Sequence, residues 1–227
     1  MSKLVSPHRL RSRIDWRLCF IADTEALAGM DVLQMISDAV AGGATIIQMR
    51  TKKRDTWEFL EVVMKAAELL RSRKVPLIIN DRVDIALACD ADGVHLGQTD
   101  MPLPYARKIL GKKKIIGISV NTLDEARAAE KEGADYLGVG PIFQTSSKID
   151  LPPVLGLEGI GTIREKTKVP ILAIGGINVA NIADVISAGA NGVAVISAIA
   201  GSDNPRAAAS ELIEAIEKVV MKERWVN

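Results

Sequence analysis

Three hydroxyl side chains and one lysine follow an apolar, strand-like run that ends at Gly140. The hydroxyls belong to Thr145, Ser146 and Ser147, and the ammonium group belongs to Lys148. Hydroxyl donors beside a compact cation suit a polyanion such as pyrophosphate. A solvated surface loop has the same composition, so this segment alone leaves both interpretations open. The position of the strand in the fold, and the residues that end the other strands, decide between them.

A second polar group ends an earlier apolar run. Gln48, Arg50 and Lys52 alternate along the sequence, so an extended chain places them on one face. An amide and two cations on one side suit an anionic ligand, and a guanidinium can bind phosphate through two hydrogen bonds. Because the charged run continues through Arg54, a solvated loop is the alternative, above all for Lys52.

Two carboxylates end two further apolar runs. Asp81 follows Asn80 at the end of one run, and Asp100 follows the next run. Either aspartate could cap the helix after it. Together they could instead hold Mg²⁺, with a substrate pyrophosphate completing the oxygen shell. Ser119 poses a similar choice, between a phosphate-binding hydroxyl and a helix N-cap.

The elements that must position these residues alternate regularly along the chain. Apolar, strand-like runs cover residues 17–22, 44–49, 75–79, 92–96, 114–118, 135–139, 170–174 and 191–196. Helical periodicity lies between them, over 31–41, 56–73, 122–132, 179–188 and 205–221. Strands that are apolar on both faces indicate a parallel sheet. Eight such βα units predict an α/β protein with a (β/α)₈ TIM barrel, whose active site forms at the carboxyl ends of the strands.

A second anion site is predicted after the last two strands. Gly176 follows strand 7, and Ile196 and Ser197 follow strand 8. Glycine lets the backbone approach a ligand closely, and amides at helix starts bind phosphate. The loops after strands 7 and 8 are a frequent phosphate site of this fold.

No linker or low-complexity tract divides the 227 residues, so we expect a single domain. The barrel is expected over 17–200, with a C-terminal helix over 204–222. Residues 1–16 are rich in arginine and predict a basic helix or extension that covers one barrel end; a transit peptide is the alternative.

The overall composition excludes several classes of partner and site. A net charge of +1 gives no global field toward nucleic acid or a membrane surface, so any anion site must be local. Cys19 and Cys89 are far apart in apolar settings, which indicates buried thiols of a cytoplasmic protein rather than a zinc site. Of the two histidines, His8 lies in the basic leader and His95 in a strand, where a buried or barrel-lining imidazole is expected.

From about Leu18 to Ile199 the strand-end motifs resemble those of the thiamine-phosphate synthase family. Residues 48–52 match its QxRxK element, residues 80–81 its Asn-Asp pair, and 145–148 most of its PTxTK loop. The resemblance implies a transferase that joins hydroxymethylpyrimidine pyrophosphate to thiazole phosphate. The products would be thiamine phosphate and pyrophosphate, formed by a dissociative, Mg²⁺-assisted mechanism.

The resemblance also implies a role for each matching residue. Asp81 and Asp100 would bind Mg²⁺, and Gln48 would face the pyrimidine. Substrate pyrophosphate and phosphate would contact Arg50, Lys52, Asn80, Ser119, Thr145, Ser147, Lys148, Gly176, Ile196 and Ser197. Within that set, Arg50, Ser119 and Lys148 would be catalytic by stabilising the leaving group. Three positions depart from the family pattern, namely Gln144 for proline, Ser147 for threonine and Asn121 for a frequent histidine.

Two alternatives share the barrel and the thiazole-phosphate site. One is a thiazole tautomerase-like paralogue, and the other is a non-catalytic protein that binds thiazole phosphate or thiamine phosphate. The paired carboxylates and the hydroxyl-lysine loop argue against a tautomerase, because isomerisation requires no pyrophosphate clamp. The sequence is compatible with a homodimer, and with a thiazole partner in either its carboxylated or its decarboxylated form.

Overall fold

The computed structural model describes residues 14–145 and 152–226, with side chains up to Met221. Within these residues, eight parallel strands close into a barrel in the order in which they occur in the chain. The strands are β1 (Leu18–Asp23), β2 (Ile46–Arg50), β3 (Leu77–Asn80), β4 (Gly93–Leu96), β5 (Ile115–Val120), β6 (Tyr136–Val139), β7 (Ile171–Ile174) and β8 (Gly192–Val195). The predicted TIM barrel is therefore confirmed, and the ends of each strand differ from the prediction by at most two residues.

The helices of the described part surround this barrel. They are α1 (Val32–Ala41), α2 (Thr56–Arg73), α3 (Val83–Ala88), α4 (Leu103–Leu110), α5 (Leu123–Glu132), α6 (Gly156–Lys166), α7 (Ile182–Ser187), α8 (Ser197–Ala200) and α9 (Pro205–Val226). Helix α2 has the predicted bounds, and α9 extends beyond the predicted end. No helix in the described ranges is long and apolar enough to cross a membrane.

Alternation along the strands separates two apolar layers. On β1, Leu18, Phe20 and Ala22 point outward and pack with the helices. Cys19 and Ile21 point inward and join a smaller cluster that fills the barrel. Because β-strand side chains alternate with a period of two, the inward row of each strand continues to its carboxyl end. That row delivers the polar residues to one face of the barrel.

The opposite end of the barrel is covered by the residues before β1. Ile14 and Trp16 pack against the inner cluster, and the Trp16 ring lies 5.0 Å from the ring of Tyr136. Residues 14–17 form no helix, and the rest of the predicted basic segment, residues 1–13, lies outside the described residues. The described part of this segment, residues 14–16, therefore covers the barrel end without forming a helix.

Two glycines make room for large side chains inside the barrel. A Cβ on Gly117 would lie 2.1 Å from Cζ of Tyr136, and one on Gly138 would lie 2.7 Å from Cε1 of His95. Neither distance is compatible with a side chain on a packed core. The barrel interior can therefore hold a tyrosine and a histidine side by side.

Candidate active site

Arg50 ends β2 and is held by a carboxylate at the end of β1. The register pairs Asp23 with Arg50, and a guanidinium nitrogen of Arg50 forms a salt bridge with Oδ2 of Asp23. The backbone N–H groups of Glu25 and Ala26 each donate to Oδ1 of Asp23 at 3.0 Å. The Asp23 side chain is 3% exposed and that of Arg50 is 11% exposed. The carboxylate thus fixes where the guanidinium sits at the barrel mouth.

The loop after β2 is fastened by a second acid, Glu25. Its carboxylate accepts hydrogen bonds from the Thr51 hydroxyl at 3.0 Å and from the backbone N–H groups of Lys52 and Lys53 at 3.0 and 3.2 Å. Burial raises the pKa of Glu25, but hydrogen bonds from Thr24, Lys52 and Thr51 outweigh it and leave the pKa below its usual value. Glu25 therefore stays ionised and holds the loop that carries Lys52.

Lys52, Asp81 and Asp100 meet at the ends of β2, β3 and β4. The Lys52 ammonium lies 2.5 Å from Oδ2 of Asp81. Burial raises the pKa of Asp81, while hydrogen bonds with Lys52 and Asp100 lower it to a net value below the usual range. Burial and the hydrogen bond with Asp81 raise the pKa of Asp100. The two carboxyl groups are thus close enough to share a hydrogen bond.

Neither aspartate caps a helix, so the alternative role is excluded for both. Asp81 has a left-handed backbone with φ of 61°, and α3 begins after Arg82 without a side-chain cap. Oδ2 of Asp100 accepts the Gly97 N–H at 2.6 Å, and α4 begins after Pro102, also without a side-chain cap. Backbone strain at a non-glycine residue is typical of functional sites.

These two carboxylates fit a magnesium ion. Mg²⁺ prefers oxygen ligands and is usually held by one or two carboxylates together with waters and substrate phosphates. Among the described residues, no group of three or more His, Cys, Asp or Glu side chains could hold a metal by itself. A pair of neighbouring carboxylates is therefore a suitable partial shell, which the oxygens of a pyrophosphate would complete.

Asn80 and Gln48 are buried beneath this group. Gln48 is 4% exposed and Asn80 is 6% exposed, each on the inward row of its strand. Burial raises the pKa of the neighbouring Tyr136 hydroxyl, and an interaction with Gln48 acts in the opposite direction. Both Gln48 and Asn80 lie at or next to the strand ends, where the sequence predicted them, and they form the floor of the barrel mouth.

A cavity of about 390 Å³ opens at the carboxyl ends of the other strands. Its lining among the described residues includes five of the predicted site residues, Ser119, Thr145, Gly176, Ile196 and Ser197, but not Arg50, Lys52, Asn80, Asp81 or Asp100. The site therefore has two parts, a charged rim over β1–β4 and a concave pocket over β5–β8. The sequence predicted one anion site over strands 2–6 and another over strands 7–8; the structure differs in that Ser119 and Thr145, both assigned to the first site, line the pocket.

Gly176 is required by its backbone and by its neighbours. Its φ is +66°, and a Cβ there would lie 2.6 Å from the carbonyl oxygen of Gln144 and 2.8 Å from Cβ of Phe143. The Asn181 amide donates to the Gly176 carbonyl at 3.0 Å. The loop after β7 thus packs closely on the segment that leads to Thr145.

Ser119 is not the N-cap of α5. The cap is Thr122, whose hydroxyl accepts the Glu125 N–H at 3.2 Å while Glu125 accepts the Thr122 N–H at 3.2 Å. Ser119 instead lies within β5, one strand position beyond the predicted end, and its Oγ is 2.8 Å from Nε2 of His95. The alternative left open by the sequence is resolved in favour of a hydroxyl that faces the cavity.

Comparison with known proteins decides which family this barrel represents. The family model described as thiamine monophosphate synthase matches residues 18–199. The chain belongs to this family. A thiamine-phosphate synthase of Chloroflexus aurantiacus is 49% identical over 199 residues, which cover 88% of this chain and 92% of that one. One from Moorella thermoacetica is 50% identical over 203 residues, covering 89% and 97%.

A solved structure gives the same result. Thiamine phosphate pyrophosphorylase from Pyrococcus furiosus has a TM-score of 0.84 and 43% sequence identity, over 93% of this chain and 99% of that chain. Both the fold and the family suggested by the strand-end motifs are thereby confirmed.

The segment that first suggested an anion site is described only in part. Thr145 lines the cavity, whereas Ser146, Ser147 and Lys148 lie outside the described residues. Beyond the segment, the Asn121 amide donates to the carbonyls of Gly140 and Pro153 at 3.2 and 3.1 Å. Asn121, one of the departures from the thiamine-phosphate synthase pattern, thus ties the chain after this segment to the cavity rim. The roles of Ser147 and Lys148 stay predictions.

Proposed function

We propose that this protein is a transferase that joins 4-amino-2-methyl-5-hydroxymethylpyrimidine pyrophosphate to 4-methyl-5-(2-phosphoethyl)thiazole, or to its carboxylated form. The products are thiamine phosphate and pyrophosphate. One arrangement carries the proposal: two cations and two carboxylates at the ends of β2–β4 stand beside a concave pocket over β5–β8. A ligand with a pyrophosphate and a ligand with a single phosphate match these two parts, in a chain of this family.

The chain's own residues act on the leaving group. The C–O bond between the pyrimidine methylene carbon and the pyrophosphate breaks, and its electron pair leaves with the pyrophosphate. The thiazole nitrogen then supplies the electron pair of the new C–N bond. Arg50 and Lys52 stabilise the departing charge, and Ser119 donates a hydrogen bond to it. Removing one such donor typically costs about 2.7–4 kcal/mol of transition-state stabilisation.

Asp81 and Asp100 would hold Mg²⁺ in this scheme. Bound there, the ion would supply positive charge that neutralises the pyrophosphate oxygens. Asn80 and Gln48 form the buried floor and orient the substrate rather than move protons. No step requires a strong base, which accords with a chain that contains two histidines.

The test is release of pyrophosphate from the two substrates, followed together with thiamine phosphate by chromatography. We expect both products in equal amounts, loss of both with a chelator, and recovery on adding Mg²⁺. The Asp81→Asn and Asp100→Asn variants should lose turnover, while Asp84→Asn, which changes an exposed carboxylate on α3, should retain it. Isomerisation of the thiazole without pyrophosphate release would identify a tautomerase, and binding without turnover would identify a binding protein.

A homodimer and a cytoplasmic location remain proposals from the sequence. The unpaired, buried state of Cys19 and Cys89 supports a reducing compartment. Sedimentation of the purified protein at several concentrations tests the dimer.

A further inference from the structure

Three side chains form a continuous hydrogen-bonded chain inside the barrel, namely Tyr136, His95 and Ser119. The Tyr136 hydroxyl lies 2.9 Å from Nδ1 of His95. On the other side of the ring, Nε2 of His95 lies 2.8 Å from the Ser119 hydroxyl, which faces the cavity. Tyr136 and His95 are both less than a tenth exposed. A buried imidazole was expected at His95 from the sequence, and its contact with Ser119 was not predicted.

With a neutral imidazole, which carries a single ring proton, such a chain can point in only two directions. In the outward direction Tyr136 donates to Nδ1, and Nε2–H donates to Ser119. The Ser119 proton is then left for a ligand in the cavity. In the inward direction every donor is reversed, and Ser119 presents only lone pairs to the cavity. An anion is attracted in the first case and repelled in the second.

Packing against neighbouring residues keeps these hydrogen-bonded side chains in position. The rings of His95 and Tyr136 lie 5.3 Å apart, in space that Gly117 and Gly138 leave free. The Gln98 amide donates to the Ser119 carbonyl at 2.6 Å, which fixes the serine backbone. Burial raises the pKa of Tyr136 well above its usual value, so the phenol keeps a proton that it can donate to Nδ1.

We infer that Tyr136 and His95 are positioning residues that hold the Ser119 hydroxyl with its proton directed at an anionic ligand. His95 is then a neutral imidazole with its proton on Nε2, and it neither abstracts nor delivers a proton during the reaction. The identity of the anion as a pyrophosphate rests on the proposed function. The direction of the chain and its effect on anion binding do not.

The tautomer of His95 can be observed directly because the protein contains only two histidines, His8 and His95. A His8→Gln variant labelled with ¹⁵N-histidine gives the signals of a single imidazole in long-range ¹H–¹⁵N spectra. We expect a protonated Nε2 and an unprotonated Nδ1 near neutral pH. We also expect Tyr136→Phe to alter this pattern, since it removes the donor to Nδ1. A proton on Nδ1 in the spectrum of the His8→Gln protein would mean that the hydrogen-bonded chain does not run outward, and this result would overturn the inference.

The functional consequence is measured by a double-mutant cycle on Tyr136 and Ser119. The readout is the dissociation constant of inorganic pyrophosphate with Mg²⁺, determined by calorimetry. Ser119→Ala should weaken binding by about 10- to 100-fold, and Tyr136→Phe alone by about 5- to 10-fold. In the Ser119→Ala background, Tyr136→Phe should have no further effect, because its influence passes through the missing hydroxyl. Equal losses in both backgrounds would show a merely structural tyrosine and contradict the inference.

The two proposals can fail separately. A parent protein that binds pyrophosphate with this coupling, but forms no thiamine phosphate, would refute the proposed function alone. A protein that forms thiamine phosphate without coupling between Tyr136 and Ser119 would refute the positioning role alone. If Tyr136→Phe does not fold, the tautomer spectrum of the His8→Gln protein still decides the inference.

Discussion

The Lys52 ammonium lies 2.5 Å from the Asp81 carboxylate and bridges the ends of β2 and β3. Lys52 thus forms an ion pair with one oxygen of Asp81, a carboxylate that we propose as a ligand of Mg²⁺. Without a bound anion, lysine and metal should compete for Asp81. We therefore expect Lys52→Met to tighten Mg²⁺ binding to the free protein by up to about fivefold, the value of a partly exposed ion pair. Calorimetric titration with Mg²⁺ measures this.

The same variant should have the opposite effect on the anion. Loss of the ammonium should weaken binding of pyrophosphate in the presence of Mg²⁺, because one positive charge is gone. Lys53→Met is the matched control, since Lys53 is the exposed neighbour and its side chain should change neither constant. If Lys52→Met weakened Mg²⁺ binding to the free protein, lysine and metal would not compete for Asp81.

The buried Asp23–Arg50 salt bridge leads to the second prediction, that Asp23→Asn strongly lowers both stability and activity. Asp23→Asn keeps the shape but leaves the Arg50 guanidinium without its buried counter-charge. Breaking a buried pair from one side costs about 3–5 kcal/mol, so the free energy of unfolding should fall by an amount of that order. Activity should fall as well, since Arg50 loses its anchor. Urea denaturation and kcat/KM measure the two effects.

Asp84→Asn is the control for this variant. Asp84 pairs with Arg82 in the same chemical way, but its side chain is 63% exposed. The change should cost less than about 1 kcal/mol. Equal losses for Asp23→Asn and Asp84→Asn would mean that burial does not set the strength of the first pair.

The glycines inside the barrel give a prediction about stability. A Cβ at Gly117 would overlap the buried Tyr136 ring, so Gly117→Ala should destabilise the protein by about 1–3 kcal/mol, as overpacking does. Gly161 lies in α6, where a Cβ would meet only the Ala188 carbonyl at 3.9 Å. Gly161→Ala should therefore stabilise by up to about 1 kcal/mol through helix propensity. Opposite shifts of the urea midpoint test both; a neutral Gly117→Ala would show that the ring can move aside.

Strand positions were readable from the sequence because every strand is buried on both faces. Runs such as 75–79 are apolar without interruption, and helix patterns such as 56–73 have clear periodicity. The most consequential error in the prediction was at the end of the first strand, which was placed one residue too early. The first strand was expected to end at residue 22, so Asp23 was not considered, although its register opposite Arg50 makes it the anchor of that arginine.

Other parts of the site depend on contacts between distant residues. Glu25 fastens the loop of Lys52 across 27 positions of the chain, and His95 meets Ser119 across 24. Neither pair has a spacing that a local pattern reveals. The choice between cap and ligand for Asp81 depended on its left-handed backbone, which sequence does not display. His95 lies in β4 and Ser119 in β5. The alternation of inward and outward side chains along these two strands was the one sequence signal that could have linked the two residues.

The last prediction concerns Cys19, which lies inside the barrel and is 1% exposed. Burial raises the pKa of its thiol to about 12, and burial also raises that of Cys89. Because the thiolate is the nucleophile, almost no reactive form exists at pH 8. A thiol reagent such as DTNB should therefore leave Cys19 unmodified in the native Cys89→Ala variant and modify it as the protein unfolds in urea. Rapid labelling of Cys19 in the native protein would instead show that the barrel interior opens to solvent without global unfolding.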